Sequence, residues 1–498
     1  MYFFRLHKIL PCMLKRPDLS QLSVAEKDTL ITALFDQLDA MSQTMQVMKQ
    51  TIQVMQSRID VLEGQLRKDS HNSHKPPSSD GFGKKRPKSL RESSGRKPGG
   101  QQGHGGSTLK LTREPDVVVS HPLPPWCDAC GEKLPTPGLI PIRRQVFDLV
   151  KPVVQVTEHL GYETHCTCGK HHRSRFPAEA TAPVQYGPVI KGALVYLTQQ
   201  QLLPVARTVQ LIEDLYGVAL STGTVQTCIA QAARQLTPSY EQIARAIREQ
   251  PVVHFDETGQ RAEARLRWLH VAGTAQLTWY FTHDKRGQLA MDDARILPGF
   301  KGVAVHDGWA SYRDYDCTHA LCNAHHLREL IYLEETTQQP WARKMIDFLR
   351  AAKKEADEAK SEEMFIGRKR LAYLRQTYES ILREGERDNP WSRIRKGARG
   401  KVKQTPAVNL LNRLRRQSED VLRFLEELDV PFDNNQAERD IRMSKLKQKI
   451  SGGFRTVTGA DAFAVIRTYV ATLRKQGRNV FAALTGLFQD QIADPVIG

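Results

Sequence analysis

The sequence predicts a multidomain α/β protein: an N-terminal coiled coil, a small cysteine-paired module, a helical region and a core built on a mixed β-sheet. Three observations predict it. Apolar residues keep heptad spacing from residue 31 to 66, and the composition then breaks into a polar, Gly-, Pro- and Ser-rich stretch. From residue 251 the apolar period falls toward 2. A chain of 498 residues allows about three domains at roughly 150 residues each.

The heptad runs through Ile31, Leu34, Leu38, Met41, Met45, Met48, Ile52, Met55, Ile59, Leu62 and Leu66, in alternating steps of three and four. This predicts a coiled coil over 24–68 that joins copies of the chain. The alternative is a long amphipathic helix folded onto its own protein. Residues 69–118 follow as a linker too polar to bury a core. From Lys84 to Arg113 it holds nine Lys or Arg and one acid, so Lys84, Lys85 and Arg86 are candidate phosphate contacts.

Residues 119–175 carry Cys127-Asp-Ala-Cys130 and Cys166-Thr-Cys168, separated by strand-like stretches at Arg144–Val150 and Val153–Thr157. Two cysteine hairpins joined by strands are how a zinc ribbon gathers four thiolates, so Cys127, Cys130, Cys166 and Cys168 are candidate structural Zn²⁺ ligands. The second pair has one intervening residue rather than two, which leaves His165 or His171 as alternative ligands. Region 186–249 reads as helical. A helix over Val205–Tyr216, Gly217 as C-cap, and Ser221 or Thr222 capping a second helix through Gln235 form a helix-turn-helix pattern.

Val252–Glu257, Leu266–Ala272, Leu277–His283 and Gly302–Asp307 read as strands, with a helix over Gln288–Leu297 before the fourth. Three strands, a helix and a strand open an RNase H-like sheet, spanning 250–328. There the first and fourth strands are central neighbours, and Asp256 and Asp307 at their ends converge. Such a pair suits two Mg²⁺ (or Mn²⁺) ions about 3.5–4 Å apart, which stabilise the attacking and leaving oxygens of a phosphodiester. A third acid comes from the helix begun by Asn434-Asn-Gln-Ala-Glu438, within the core's second part, 431–490. Glu438 shares a face with Arg442; Asp433 and Asp440 are its competitors. Arg439, Arg442 and Lys445 are candidate DNA contacts, with Lys447, Lys449 and Arg455 beyond them.

Composition narrows the class. Seventy-two basic against 55 acidic residues give +17, with a pI near 9.5, and favour a polyanionic partner. No apolar run is long enough to span a bilayer, and Met1–Arg5 is too short an apolar start for a signal peptide. Eight cysteines, four of them in tight pairs, point to metal binding in a reducing cytoplasm rather than to disulfides.

Over nearly its whole length the chain resembles the IS66-type insertion-sequence transposases. The resemblance rests on the zipper, Asn72–Asp80, the Gly- and Gln-rich basic stretch and the cysteine pairs. It also rests on His254-Phe-Asp-Glu-Thr-Gly259, His306-Asp-Gly-Trp-Ala-Ser-Tyr312, Leu321–Leu330 and Asn434–Arg442. It implies a DDE triad at Asp256, Asp307 and Glu438, and Cys322-x-x-His325 is similar to a signature that follows the second acid in several DDE families. It further implies a helical insertion over 329–430, whose run from Arg393 to Arg416 holds nine basic residues and no acid. The implied partners are double-stranded DNA (terminal inverted repeats and target), further copies of the chain, and accessory transposition proteins. The implied place is the bacterial cytoplasm, at the nucleoid. The rival readings are a non-catalytic or domesticated DNA-binding protein and an RNase H-like nuclease without strand transfer.

Overall fold

The computed structural model describes residues 20–66, 68, 72–73, 111–121, 124–134, 143–148, 153–177, 180–391 and 404–497. Lys84, Lys85, Arg86, most of the expected linker and the basic segment 392–403 lie outside them. The chain divides into two units: one holds residues 1–87 and 328–340, and the other holds the rest.

In the first unit, α1 (Val24–Leu66) is a single helix. A capping box starts it: Ser23 N–H donates to Glu26 Oε2 at 2.9 Å, and Ser23 Oγ accepts from Glu26 N–H. The heptad row remains exposed, with Met45 at 66% and Ile52 at 65%. Within the expected linker, however, Asn72 and Ser73 are buried. Asn72 Nδ2 donates to Glu335 Oε2 at 3.0 Å, and Lys68 sits 4.8 Å over the Tyr332 ring. Polar pairing anchors this stretch where apolar burial could not.

In the second unit, a hairpin of β1 (Glu163–His165) and β2 (His171–Arg173) flanks the second cysteine pair. The strands expected at Arg144–Val150 and Val153–Thr157 do not form among the described residues. Val146 and Val156 are about nine-tenths exposed, and no strand lies beside them among the described residues. The Gln145 side chain instead bonds Thr112 N–H and C=O at 2.7 and 2.9 Å.

α2 (Pro188–Val195), a π turn, α3 (Val205–Tyr216) and α4 (Thr222–Arg248) follow. Gly217 closes α3 at φ +67°, and Ser221 Oγ caps α4 by accepting from Thr224 N–H at 3.0 Å. α4 passes through Pro238 and runs beyond Gln235, because Leu236, Ile243 and Ile247 continue its buried stripe. α2 to α4 share one core with α12 (Val457–Lys475) and α13 (Val480–Leu487): Leu194, Ile212, Val225 and Leu236 pack with Ile466, Tyr469, Val480 and Leu484.

The central sheet comprises β3 (Val252–Ala262), β4 (Arg265–Gly273), β5 (Thr278–His283), β6 (Val303–His306) and β7 (Thr318–Leu321), in the order β5-β4-β3-β6-β7. β3–β4–β5 are antiparallel, while β3–β6–β7 are parallel. α11 (Asn435–Ser451) and α12 cover one face through Ala437, Ile441 and Ala464 on Leu269, Val271 and Tyr280. The end of α4 and α5 (Gln288–Ala294) cover the other, with Ile243 and Met291 against Phe255 and Trp279. Between β7 and α11 come α6 (Asn323–Thr337), α7 (Pro340–Ser361), α8 (Arg368–Asp388), α9 (Pro406–Arg416) and α10 (Ser418–Glu426). α10 returns to the sheet edge, where Arg423 Nε donates to His319 O at 2.7 Å.

Candidate active site

Side chains alternate across a strand. On β3 this turns Val252, His254 and Asp256 toward the α11 face, while Val253, Phe255 and Glu257 face α5. β6 runs parallel with Val252 opposite Val303 and His254 opposite Val305. Two further residues in that register bring Asp256 beside Asp307, the first residue after β6. Gly308 then leaves the strand at φ +88°, which glycine adopts without strain. Asp307 Oδ1 accepts from Trp309 N–H at 2.9 Å.

Asp256 does not end its strand, as expected, but sits mid-strand. Pairing with β4 carries β3 on to Ala262, whereas pairing with β6 stops at His254. The acid thus lies where the parallel ladder opens.

α11 is tied to the opening by Asn434. Its Nδ2 donates to Phe255 O at 2.7 Å, its Oδ1 pairs with His254 Nδ1 at 2.8 Å, and its N–H donates to Cys322 Sγ at 3.1 Å. The Asn434 side chain makes no cap bond to α11; Asp433 Oδ1 takes Asn435 N–H instead. One turn on, Glu438 lies beside Cys322 and His325 and adds to the charge around Asp256. Burial raises Asp256 well above the ordinary carboxylate range, the charge of Glu257 adds to this, and Asp307 and Glu438 contribute further. The Glu257 N–H donating to Asp256 Oδ1 opposes the shift. Asp440 is held elsewhere, in an ion pair with Lys475 at 2.8 Å.

Sequence reasoning missed Glu257. It is buried on the opposite face, accepting from Tyr312 O–H at 2.6 Å and Arg286 Nε at 2.7 Å. Arg286 in turn stacks on Trp309 at 4.0 Å. These contacts brace the turn that carries Asp307. Period-2 reading of His254-Phe-Asp-Glu257 could have flagged it, since it places Glu257 inward beside Phe255.

Among the candidate basic residues, Lys445 donates to Gly259 O at 3.1 Å, and the Asp256 charge acts on it. Arg439 and Arg442 are exposed beside it on α11. Lys447 is taken up over the rings of Phe454 and Phe463, so it is not available to a phosphate. On α9, Arg415 is paired with Glu379 and Glu386.

The cysteine pairs each close a knuckle. Cys127 O accepts from Gly131 N–H at 3.0 Å, and Cys166 O accepts from Gly169 N–H at 2.8 Å. Backbone N–H groups of Cys130 and Cys168 hold the Cys127 and Cys166 thiols below their ordinary value. No three of these four sulfurs lie within 4.8 Å of one another; among the described residues, the group that does so is Cys322, His325 and Glu438.

Asp256, Asp307 and Glu438 arrive from three chain segments and offer only oxygen donors, which is the ligand chemistry of Mg²⁺ or Mn²⁺. A divalent cation would relieve the charge that Asp307 and Glu438 place on Asp256, although the oxygens of the three do not all lie within 4.8 Å of one another. The raised Asp256 carboxyl has a stability consequence. Its contribution is complete below the unfolded value near 4 and is lost as pH rises through the raised folded one. In metal-free protein, Asp256→Asn should therefore raise the melting temperature, with a gap over wild type that widens from about pH 4 upward. Added Mg²⁺ should narrow that gap. Superimposable melting curves across the pH range would count against the crowded-acid description.

A family model described as the IS66 transposase family matches residues 183–462. A second, a family of unknown function (DUF6444), matches residues 14–110. The uncharacterized protein y4jD of Sinorhizobium fredii (strain NBRC 101917 / NGR234) is 23% identical over 408 residues, covering 75% of this chain and 76% of that protein. No helix among the described residues is long and apolar enough to cross a membrane. The first match spans more than half of the chain and contains the opened ladder, the turn after β6 and the start of α11: the chain belongs to the IS66 transposase family.

Proposed function

We propose that this protein is the DDE transposase of an insertion sequence, acting in the bacterial cytoplasm on DNA of the nucleoid. The observation that carries the reading is the shared β3–β6 register behind Asp256 and Asp307, together with the bonds by which Asn434 ties the start of α11, which carries Glu438, to β3. The sheet order β5-β4-β3-β6-β7 supports an RNase H-like core. Asp256, Asp307 and Glu438 would hold Mg²⁺ or Mn²⁺, which supplies charge compensation on the attacking and leaving oxygens of a phosphodiester. Lys445, Arg439 and Arg442 hold the DNA backbone beside the acids. Glu257, through Tyr312 and Arg286, keeps the Asp307 turn in place, and positioning of this kind carries much of phosphoryl-transfer catalysis. Water cleaves the phosphodiester at the element end, and the freed 3′-hydroxyl then attacks target DNA. The test is incubation of purified protein with the DNA flanking its own gene. Mg²⁺-dependent cutting at an inverted repeat, followed by joining to target, is expected. Binding without cutting would favour a non-catalytic protein, and cutting without joining a nuclease.

The two cysteine knuckles are proposed to close on one structural Zn²⁺, which would draw the halves together. Metal analysis should find about one zinc per chain, lost on Cys127→Ser with loosening of residues 119–175. Unchanged folding without zinc would refute this.

The exposed seam of α1 is proposed to pair with the same seam of another copy, because an uncovered apolar row of this length costs free energy in water. Deleting residues 1–68 should lower the molar mass seen by light scattering. An unchanged mass would assign the helix another partner.

A further inference from the structure

The Cys322, His325 and Glu438 group has a donor set unlike that of the three carboxylates. Cys322 follows β7 directly, His325 lies in the first turn of α6, and Glu438 lies in the first turn of α11. His325 N–H donates to Cys322 O at 3.1 Å, so the C-x-x-H turn puts thiol and imidazole on one side. The Cys322 sulfur, a His325 ring nitrogen and a Glu438 carboxylate oxygen all lie within 4.8 Å of one another. His325 Nε2 and Glu438 Oε1 are 3.9 Å apart. Zinc bonds of about 2.0–2.3 Å give tetrahedral edges of roughly 3.3–3.8 Å, so a small rotation of these side chains reaches ligand geometry. Sulfur and imidazole are poor partners for Mg²⁺ and good ones for Zn²⁺ or Co²⁺.

We propose that Cys322, His325 and Glu438 form a site for a thiophilic divalent cation such as Zn²⁺, with water in the fourth position, and that filling it withdraws Glu438 from the neighbouring acids. The same carboxylate then serves two sites of different hardness, so Zn²⁺ acts as an antagonist of Mg²⁺. Asn434 N–H, donating to Cys322 Sγ, supplies the backbone contact that a metal-bound thiolate keeps. Binding of the cation depends on the three donors alone; antagonism rests on the reading of Glu438 as the third acid.

The experiment uses the full chain and Co²⁺ as the optical probe. Wild type, Cys322→Ser and His325→Gln are titrated, and thiolate-to-cobalt absorption is read against the background that the paired knuckles contribute to all three. Wild type should bind one more equivalent than either variant, with extra thiolate-to-cobalt absorption missing from Cys322→Ser. Identical titrations in all three proteins overturn the site. In Mg²⁺-supported DNA cleavage, Zn²⁺ should inhibit wild type at least tenfold more than Cys322→Ser, each compared with its own zinc-free rate. A cobalt difference with equal inhibition would keep the three-donor site and overturn the sharing of Glu438.

Discussion

Asp256→Asn, Asp307→Asn and Glu438→Gln should each lower Mg²⁺-dependent cleavage by on the order of a hundredfold or more, while binding to the element ends survives. Each change keeps the shape of the side chain and removes one negative charge from a site that works on developing charge. Deleting a single group that stabilises a transition state commonly has an effect of this size. Binding survives because the basic, cysteine-paired and helical segments are left intact. Asp433→Asn and Asp440→Asn are the controls. Asp433 serves the first turn of α11, and Asp440 pairs with Lys475 of α12, so their loss should lower stability more than chemistry. Cleavage retained in Glu438→Gln but lost in Asp433→Asn would move the third acid by five residues. Full activity in Asp256→Asn would remove the metal mechanism altogether.

Asn434→Ala should affect stability and cleavage together. The substitution leaves the buried Phe255 carbonyl and His254 Nδ1 without the partners they have at 2.7 and 2.8 Å. A buried polar group left unsatisfied costs about 1–3 kcal/mol, so the two together should cost roughly 2–6 kcal/mol by denaturant titration. The same bonds register α11 on β3, and a shift of about 1 Å in a helix carrying a reacting-site acid can cost on the order of a hundredfold in rate. Asn434→Asp keeps an acceptor for His254 but cannot donate to Phe255 O as Asn does, so it should fall between Ala and wild type. Normal cleavage in a destabilised Asn434→Ala protein would separate the two roles and refute the registering one.

The acids were legible because strands announce themselves over short range. Val252–Phe255 and Val303–Val305 are short, largely apolar runs that lead into an acid, and a shared register follows once they are neighbours. β7 was not legible: four residues between a turn and Cys322 hold too little pattern to read. The Glu257–Arg286–Tyr312 bracing needs the turn after Asp307 to fold back, which no spacing encodes. Likewise, the apolar stripes of α2, α4, α12 and α13 indicate that each helix is buried, but not that they bury one another. Strand composition at Arg144–Asp148 was not enough, because a strand requires a neighbour as well as suitable residues, and none lies beside it among the described residues.

The shared core of α2, α4, α12 and α13 also sets when the chain can fold. Leu194 must wait for Leu484, roughly 290 residues later, before both are covered. At about 5–20 residues per second of synthesis, the earlier helices spend roughly 15–60 s with their apolar faces bare. Loop closure over such a span is slow and leaves those faces open to chaperones and to association. A transposase that matures only after its last helices emerge acts as a finished molecule rather than as a nascent one. Any gene copy cut short before residue 457 would yield an aggregation-prone fragment rather than a competitor for the DNA ends.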